Sequence, residues 1–169
     1  MASGDVVGLV LMDMPPDATR ANPNIVAGGS TPAENWPVVD FDDTSDEYWD
    51  FLCALEGYGG GGLTLELPWL AAAATNNCVW GAAIRAIPDD TEDIETSHTY
   101  NFNTVTATAP SVVGEVAYDT ITFTDGADMD SLADGERFML RIQRDADNGS
   151  DSLVGDARLL WNGIVIRET

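Results

Sequence analysis

Residues 48–56, YWDFLCALE, alternate between two sets of side chains, and this alternation decides the fold class. Successive side chains of a β-strand point to opposite faces, so a period of two places one set on a buried face. A helix is the rival interpretation, since the segment also tolerates a period of 3.6 residues. The set assigned to the core is Trp49, Phe51, Cys53 and Leu55.

The same alternation recurs further along the chain, between strong turn signals. Four consecutive glycines at 59–62 and a proline at 88 separate the segments. The inward sets are Leu63, Leu65, Leu67 and Trp69, then Cys78, Trp80, Ala82 and Ile84, and later Phe138, Leu140 and Ile142. Each of these segments predicts a strand with one side in the core.

Two further segments are less regular. In residues 112–124, Val116 and Tyr118 fall on one face while Ile121 and Phe123 fall on the other, which predicts a β-bulge near 119–120. In residues 157–166, the dipeptide at 162–163 is Asn-Gly, a strong hairpin signal. A single strand with a glycine bulge fits that last segment equally well.

About eight strands between turn signals, with no long amphipathic helix, predict an all-β protein. The favoured architecture is an antiparallel β-sandwich of the jelly-roll type over residues 37–169, and an immunoglobulin-like sandwich is the alternative. Residues 1–36 are predicted to form an extended N-terminal arm, because most of this stretch is rich in Pro, Ala, Asn, Gly and Ser.

The predicted arm contains one strand-like stretch at residues 6–11, VVGLVL. It is either a frayed terminus or an arm that adds a strand to a neighbouring subunit. Trp36, beside Pro37 at the end of the arm, is a candidate interface anchor. The residues predicted to contact a partner are Val6, Val7, Leu9, Leu11 and Trp36.

The charge of the chain restricts its partners. There are 29 acidic residues against 7 basic ones, all of them Arg, and the net charge is -22. Nucleic acid and anionic membrane surfaces are excluded as partners, because both bind through cations. No apolar run reaches the roughly 18 residues of a membrane span. A basic protein surface, a neutral glycan or a saline habitat each fits such acidity.

The sequence carries no recognisable catalytic site, so no enzyme activity is predicted. His98 is the single histidine, and neither a nucleophile elbow nor a phosphate-binding loop is present. Cys53 and Cys78 fall on core-facing positions and are expected to be buried, although a disulfide between them stays open. No organic cofactor is expected.

One acidic loop partly resembles a calcium-binding loop. Residues 145–151 read DADNGSD, and Ca²⁺ favours several oxygen ligands from one flexible loop. Flanking helices and a closing Glu are absent, so an ordinary polar turn is the alternative. The candidate ligands are Asp145, Asp147 and Asp151.

A series of short motifs in a particular order resembles small acidic structural proteins of tailed bacteriophages. The motifs are Met14-Pro15-Pro16, STPAE at 30–34, Phe41-Asp42-Asp43, GGGLT at 60–64 leading to Trp69, Val79-Trp80, TITF at 120–123, Arg144-Asp145 and Gly155-Asp156. The resemblance is to jelly-roll virion proteins, including head decoration (cement) proteins and fibre domains. Each motif alone is short, and the resemblance rests on their order along nearly the whole chain.

This resemblance implies a decoration protein on the capsid exterior of a virion. Its partners would be the major capsid protein and two further copies of itself in a homotrimer, and the acidic surface would complement basic patches on the shell. A glycan-binding β-sandwich module, as in a tail fibre or receptor-binding protein, is the alternative. Exposed Trp or Tyr side chains on one face of the sandwich would favour that alternative.

Overall fold

The computed structural model describes residues 3–169. This part of the chain contains eleven strands, which pair in antiparallel fashion. Short 3₁₀ turns at Ala127–Met129 and Trp161–Gly163 are the helical segments of that part. Neither turn is long and apolar enough to cross a membrane. The strands are β1 (Val6–Asp13), β2 (Asn22–Gly28), β3 (Glu34–Phe41), β4 (Glu47–Leu55), β5 (Leu63–Ala71), β6 (Asn77–Ile87), β7 (Asn103–Thr108), β8 (Ala117–Phe123), β9 (Arg137–Arg144), β10 (Ala157–Leu159) and β11 (Val165–Glu168).

The strands form two packed layers joined along one continuous ladder. One layer has the order β7-β6-β9-β4-β1. In the other, β5 pairs with β8 along one edge and with β10 and β11 along the opposite edge, and β3 and β2 follow β10. The pairing of β1 with β11 connects the layers. The predicted antiparallel β-sandwich is therefore the fold of this protein.

The core lies between the two layers and consists of the inward sets that the alternation predicts. Trp49, Phe51, Cys53 and Leu55 of β4 are all buried, as are the inward residues of β5, β6 and β9. Residues 48–56 also fit a helical period, but the segment up to Leu55 forms a strand because β1 and β9 hydrogen-bond to the two edges of β4. Burial of alternate apolar side chains against the facing layer stabilises this arrangement.

The first 36 residues contribute two strands to the sandwich and the exposed half of a third. β1 lies between β11 and β4, and β2 forms a hairpin with β3 at the end of the ladder. The alternation of β1 does not show in the sequence, because a register shift between Val10 and Met12 interrupts it. Exposed residues of this stretch include residues 9–13 of β1 and the β2–β3 hairpin from Asn22 to Trp36, apart from the half-buried Val26 and Gly28.

Three details of the prediction are wrong. The described part contains eleven strands rather than about eight, since β2 and β3 lack a clear period and the segment 157–166 contributes to two short strands, β10 and β11. β8 has no bulge, because its register with β5 is unbroken from Ala117 to Phe123. The Asn162-Gly163 dipeptide lies in a 3₁₀ turn rather than a hairpin, and β10 and β11 on either side of it both pair with β5.

A buried arginine organises the loops at one end of the core. Arg144 has no exposed side-chain surface and forms an ion pair of 2.9 Å with the buried Asp151. Its guanidinium also donates to the carbonyl oxygens of Phe41, Leu153 and Gly155 at 3.2, 2.6 and 2.8 Å. Buried charges are tolerated only when they are paired and hydrogen-bonded, and this guanidinium satisfies both conditions.

The two cysteines are free and buried, as expected from their core-facing positions. They do not form a disulfide. Burial raises the pKa of the Cys53 thiol to about 12 and raises that of Cys78 as well. A protonated, inaccessible thiol is a poor nucleophile, so both residues act as small apolar side chains.

The glycine-rich loop at 59–62 is held by Tyr58 at the opposite end of the sandwich. The Tyr58 hydroxyl donates to Asp125 Oδ1 at 2.7 Å and accepts from the Gly62 N–H at 2.8 Å. Burial and the hydrogen bond to Asp125 raise the pKa of Tyr58 to about 12. The loop is therefore fixed at both of its ends, although its glycines allow many backbone conformations.

Candidate functional site

A groove with two exposed aromatic side chains crosses the outer face of the layer that contains β5. Trp36 of β3 is 48% exposed and Tyr118 of β8 is 66% exposed. Tyr118 points away from the core because it alternates with less exposed neighbours on β8, and Trp36 lies in the exposed half of β3. Tyr118 lies opposite Pro68 of β5, and Trp36 lies opposite Val26 of β2.

Two cavities adjoin in this groove and share Trp36 and Leu160. The larger one, about 470 Å³, also contacts Tyr118. The smaller one, about 260 Å³, extends toward β2 and the loop before β8. The larger cavity is lined by Asn35, Trp36, Pro37, Pro68, Tyr118, Leu160, Asn162 and Gly163, and the smaller by Val26, Trp36, Leu70, Gly114, Val116 and Leu160.

The lining of the groove is uncharged. In a chain with 29 acidic residues, no Asp, Glu or Arg is among the described residues that line either cavity. The polar side chains there are the amides of Asn35 and Asn162, together with the indole N–H of Trp36 and the hydroxyl of Tyr118. Such a surface suits a neutral ligand that has apolar faces and hydrogen-bonding groups at its edges.

Local structure explains why both aromatic side chains stay exposed. The inner half of β3, Val38–Phe41, is buried in the sandwich, whereas its outer half runs past the core and pairs only with β2. In β8 the inward positions hold Ile121 and Phe123, so Tyr118 falls on the outer side by parity. A ring on an outward position of a sheet with no second layer above it remains accessible to a ligand.

Sequence reasoning found Trp36 and missed Tyr118. Trp36 was a candidate because it follows the predicted arm and precedes a proline. The predicted bulge would turn Val116 and Tyr118 toward the core, whereas β8 runs without a bulge and leaves Tyr118 outside. The change of parity at Val116 and Tyr118 was the available signal, because an uninterrupted strand puts Tyr118 outside.

The other predicted partner-contacting residues all lie on β1. Val6, Leu9 and Leu11 are 52%, 52% and 51% exposed, so their side chains are accessible. Val7 is buried in the core, and its side chain is not available to a partner. The structure thus separates the predicted set into an accessible β1 group and Trp36, which lies in the other layer.

The predicted calcium ligands do not come together as one set. Asp151 forms an ion pair with Arg144, and its Oδ2 accepts a hydrogen bond from the Val79 N–H at 2.9 Å. Asp145 and Asp147 lie instead with Asp46, each offering an oxygen within 4.8 Å of the others. The nearby Asp46 carboxylate raises the pKa of Asp147. Calcium binding stays a prediction.

The single histidine and the four other tryptophans lie outside the groove and pack against neighbouring side chains of the protein. His98 lies in a loop with Nε2 3.8 Å from Asp130 Oδ2, and its ring packs edge-on against Tyr100. Trp49, Trp69 and Trp80 are buried, as their inward positions predict. Trp161 is half-buried and stacks on Trp49 with the ring centroids 6.1 Å apart.

Fold and site together define a class: an antiparallel β-sandwich with an open, uncharged aromatic groove on one outer face. No protein-family model and no curated protein sequence matches this chain. Three carbohydrate-binding modules of solved structure align with this chain at low similarity.

The three modules align over most of this chain. The family 11 module from Clostridium thermocellum, in complex with a β-1,3-1,4-mixed-linked tetrasaccharide, is 14% identical, with 96% of each chain covered and a TM-score of 0.43. TmCBM61, in complex with β-1,4-galactotriose, is 8% identical over 93% of this chain and 83% of its own, with a TM-score of 0.35. The mannan-recognising TmCBM27 is 9% identical over 95% and 96%, with a TM-score of 0.33.

Proposed function

We propose that this protein is a glycan-binding β-sandwich module and that the Trp36–Tyr118 groove is its binding site. The observation that carries this proposal is the exposure of two aromatic rings in one uncharged groove. Singly exposed apolar side chains need no explanation, but two large rings that line a common concave surface indicate a ligand. Exposed Trp or Tyr side chains on one face of the sandwich are the feature that favours the glycan-binding alternative.

The chemistry of the groove matches that of a sugar chain. The C–H groups on one face of a pyranose ring pack against an aromatic ring and lose contact with water. The hydroxyl groups at the edge of the sugar then reach the amides of Asn35 and Asn162, which offer both donors and acceptors. A net charge of -22 repels uronic acids and sulfated sugars, so the ligand is a neutral glycan.

Replacing Trp36 or Tyr118 with alanine should abolish most of the binding to neutral polysaccharides. Trp and Tyr anchors at the centre of an interface typically contribute about 2 kcal/mol or more, which corresponds to roughly a 30-fold loss of affinity. The measurement is affinity electrophoresis in gels that contain neutral β-glucans, β-mannans or β-galactans, followed by calorimetric titration with the best ligand.

The matched control is Ile94→Ala, which removes an exposed apolar side chain outside this groove. It should bind like the unmodified protein, and all variants should keep its melting temperature, because both aromatic side chains are exposed. Unchanged glycan binding in Trp36→Ala and in Tyr118→Ala would refute the proposed site. Absence of binding to every neutral glycan in the panel would refute the proposed function.

We propose as a second candidate function that the protein is a virion decoration protein bound to the major capsid protein. The specific observation in its favour is the row of accessible apolar side chains on β1, which includes Val6, Leu9 and Leu11. An apolar row on a strand inside a sheet is suited to burial against another protein surface. The homotrimer and the location on the capsid exterior belong to this proposal.

Particles that lack this protein should lose their genome at a lower temperature or after a milder osmotic shock than complete particles. Re-addition of the purified protein should restore their resistance, whereas Leu9→Asp should restore it poorly because it places a charge in the contact. Heat-release curves of both kinds of particle measure the effect. Equal robustness of particles with and without the protein would contradict this second function.

A further inference from the structure

A second apolar surface covers the outer side of the other layer and runs across four of its strands. In the antiparallel register, Met12, Leu52, Met139 and Arg85 form one row across β1, β4, β9 and β6. Leu9, Ala54, Arg137 and Ile87 form the next row. Residues directly opposite on one face are in side-chain contact range, so the two rows adjoin. Ala54 and Arg85 within them are buried, and the other residues of the rows reach the surface.

A shallow groove lies on this surface. Its volume is about 260 Å³, and it is lined by Met14, Leu52, Arg85, Ile87, Ile94 and Met139. Met12 and Ile94 at its borders are 53% and 68% exposed, although both carry large apolar side chains. We call this surface, from Leu9 and Met12 to Ile94, the methionine face.

The cations of the methionine face are already neutralised by the protein itself. Arg85 pairs with Glu92 at 2.6 Å and also donates to the carbonyl oxygens of Asp93 and Thr96. Arg137 pairs with Glu56 at 3.3 Å. These arginines therefore do not attract an acidic ligand.

One border of the methionine face is strongly acidic. The loop that carries Ile94 reads DDTEDIE at 89–95, with five acidic residues in seven, and only one of these acids, Glu92, pairs with an arginine. A partner on this face therefore meets an apolar floor beside a negatively charged loop.

We propose that the methionine face binds a basic amphipathic segment of a partner protein. The apolar side chains of that segment lie on Met12, Leu52 and Met139, and its cations face residues 89–95. Methionine side chains are unbranched and polarizable, so a surface made of them adapts to apolar partners of different shape. An apolar groove that receives one face of an amphipathic segment is a recurring mode of peptide recognition.

This site is independent of the glycan groove. The methionine face lies on the β1-β4-β9-β6 layer, whereas Trp36 and Tyr118 lie on the layer that contains β5. The inference therefore goes beyond the proposed glycan-binding function. It adds a partner of stated chemistry, a basic protein segment, and either site can fail its test without affecting the other.

The test uses three labelled synthetic peptides of about 18 residues, or five helical turns. The first is an amphipathic Leu/Lys peptide, the second a Ser/Lys peptide of equal charge, and the third an amphipathic Leu/Glu peptide. Fluorescence anisotropy with the full chain at about 0.15 M salt should show at least tenfold tighter binding of the Leu/Lys peptide than of the Ser/Lys peptide. The Leu/Glu peptide should not bind.

Two variants test whether the Leu/Lys peptide binds at the methionine face. Met12→Gln and Met139→Gln should each weaken binding of the Leu/Lys peptide at least fivefold and leave the weak binding of the Ser/Lys peptide unchanged. Trp36→Ala is the matched control and should bind the Leu/Lys peptide normally. Met12 is half-exposed, so its variant keeps the test valid even if Met139→Gln folds poorly.

Two results would overturn the proposal. Equal binding of the Leu/Lys and Ser/Lys peptides would mean that the negative charge of the chain attracts any polycation. Unchanged binding of the Leu/Lys peptide to Met12→Gln would mean that its apolar side lies elsewhere.

Discussion

Replacing Arg144 with methionine should lower the free energy of unfolding by about 3–5 kcal/mol, because it leaves a buried carboxylate without its partner. The Arg144 side chain is fully buried, and that of Asp151 is 3% exposed. Methionine keeps much of the side-chain volume but donates no hydrogen bond. The carbonyl oxygens of Phe41, Leu153 and Gly155 would lose their donor as well.

Urea denaturation followed by tryptophan fluorescence measures this change, since five tryptophans report on the core. Arg137→Met is the matched control, because it also removes an ion-paired arginine from β9. Its side chain and that of Glu56 are 48% and 54% exposed, so the control should cost about 1 kcal/mol or less. If both variants unfolded at the same urea concentration, the buried ion pair would not hold the loops as described.

Replacing Gly62 with alanine should destabilise the protein by about 2–5 kcal/mol for two additive reasons. The backbone of Gly62 has a φ of +95°, a conformation that costs an L-residue about 1–2 kcal/mol. The added Cβ would also lie 2.5 Å from the carbonyl oxygen of Phe123, which is backbone and cannot rotate away. Overpacking of this kind costs typically about 1–3 kcal/mol.

Gly60→Ala separates these two contributions within the same loop. Gly60 has a φ of +98° and no atom within 4 Å of the added Cβ, so only the conformational cost applies. Thermal unfolding should therefore place Gly60→Ala between the unmodified protein and Gly62→Ala. Equal melting temperatures for the two variants would show that β8 moves away from the loop at no cost.

The strands were predictable where alternation is uninterrupted and long. β4, β5, β6 and β9 each keep an apolar residue at every second position, and the structure buries those residues between the layers. Details were wrong where a strand is short, as in β10, or has apolar residues on both faces. β1 and β8 are of the second kind: both segments were predicted to be strands, but their outward apolar residues belong to surfaces, and the bulge predicted in β8 is absent.

The candidate sites were less predictable than the strands. The sequence predicts Trp36 as a partner-contacting residue because it stands beside a proline at the end of the predicted arm. Its companion Tyr118 comes from a distant strand, and the two share a groove because β3 and β8 both belong to the layer that contains β5. Similarly, nothing local indicates that Met12, Leu52 and Met139 form one row.

The sequence by itself determined that this protein is an acidic, all-β sandwich, because strand periodicity and net charge are properties of neighbouring residues and of composition. Only the tertiary structure decided which outward side chains meet, where Arg144 finds its partners and that the first residues join the sheet. Those outcomes depend on the order and register of strand pairing, which is set by contacts between residues far apart in the chain.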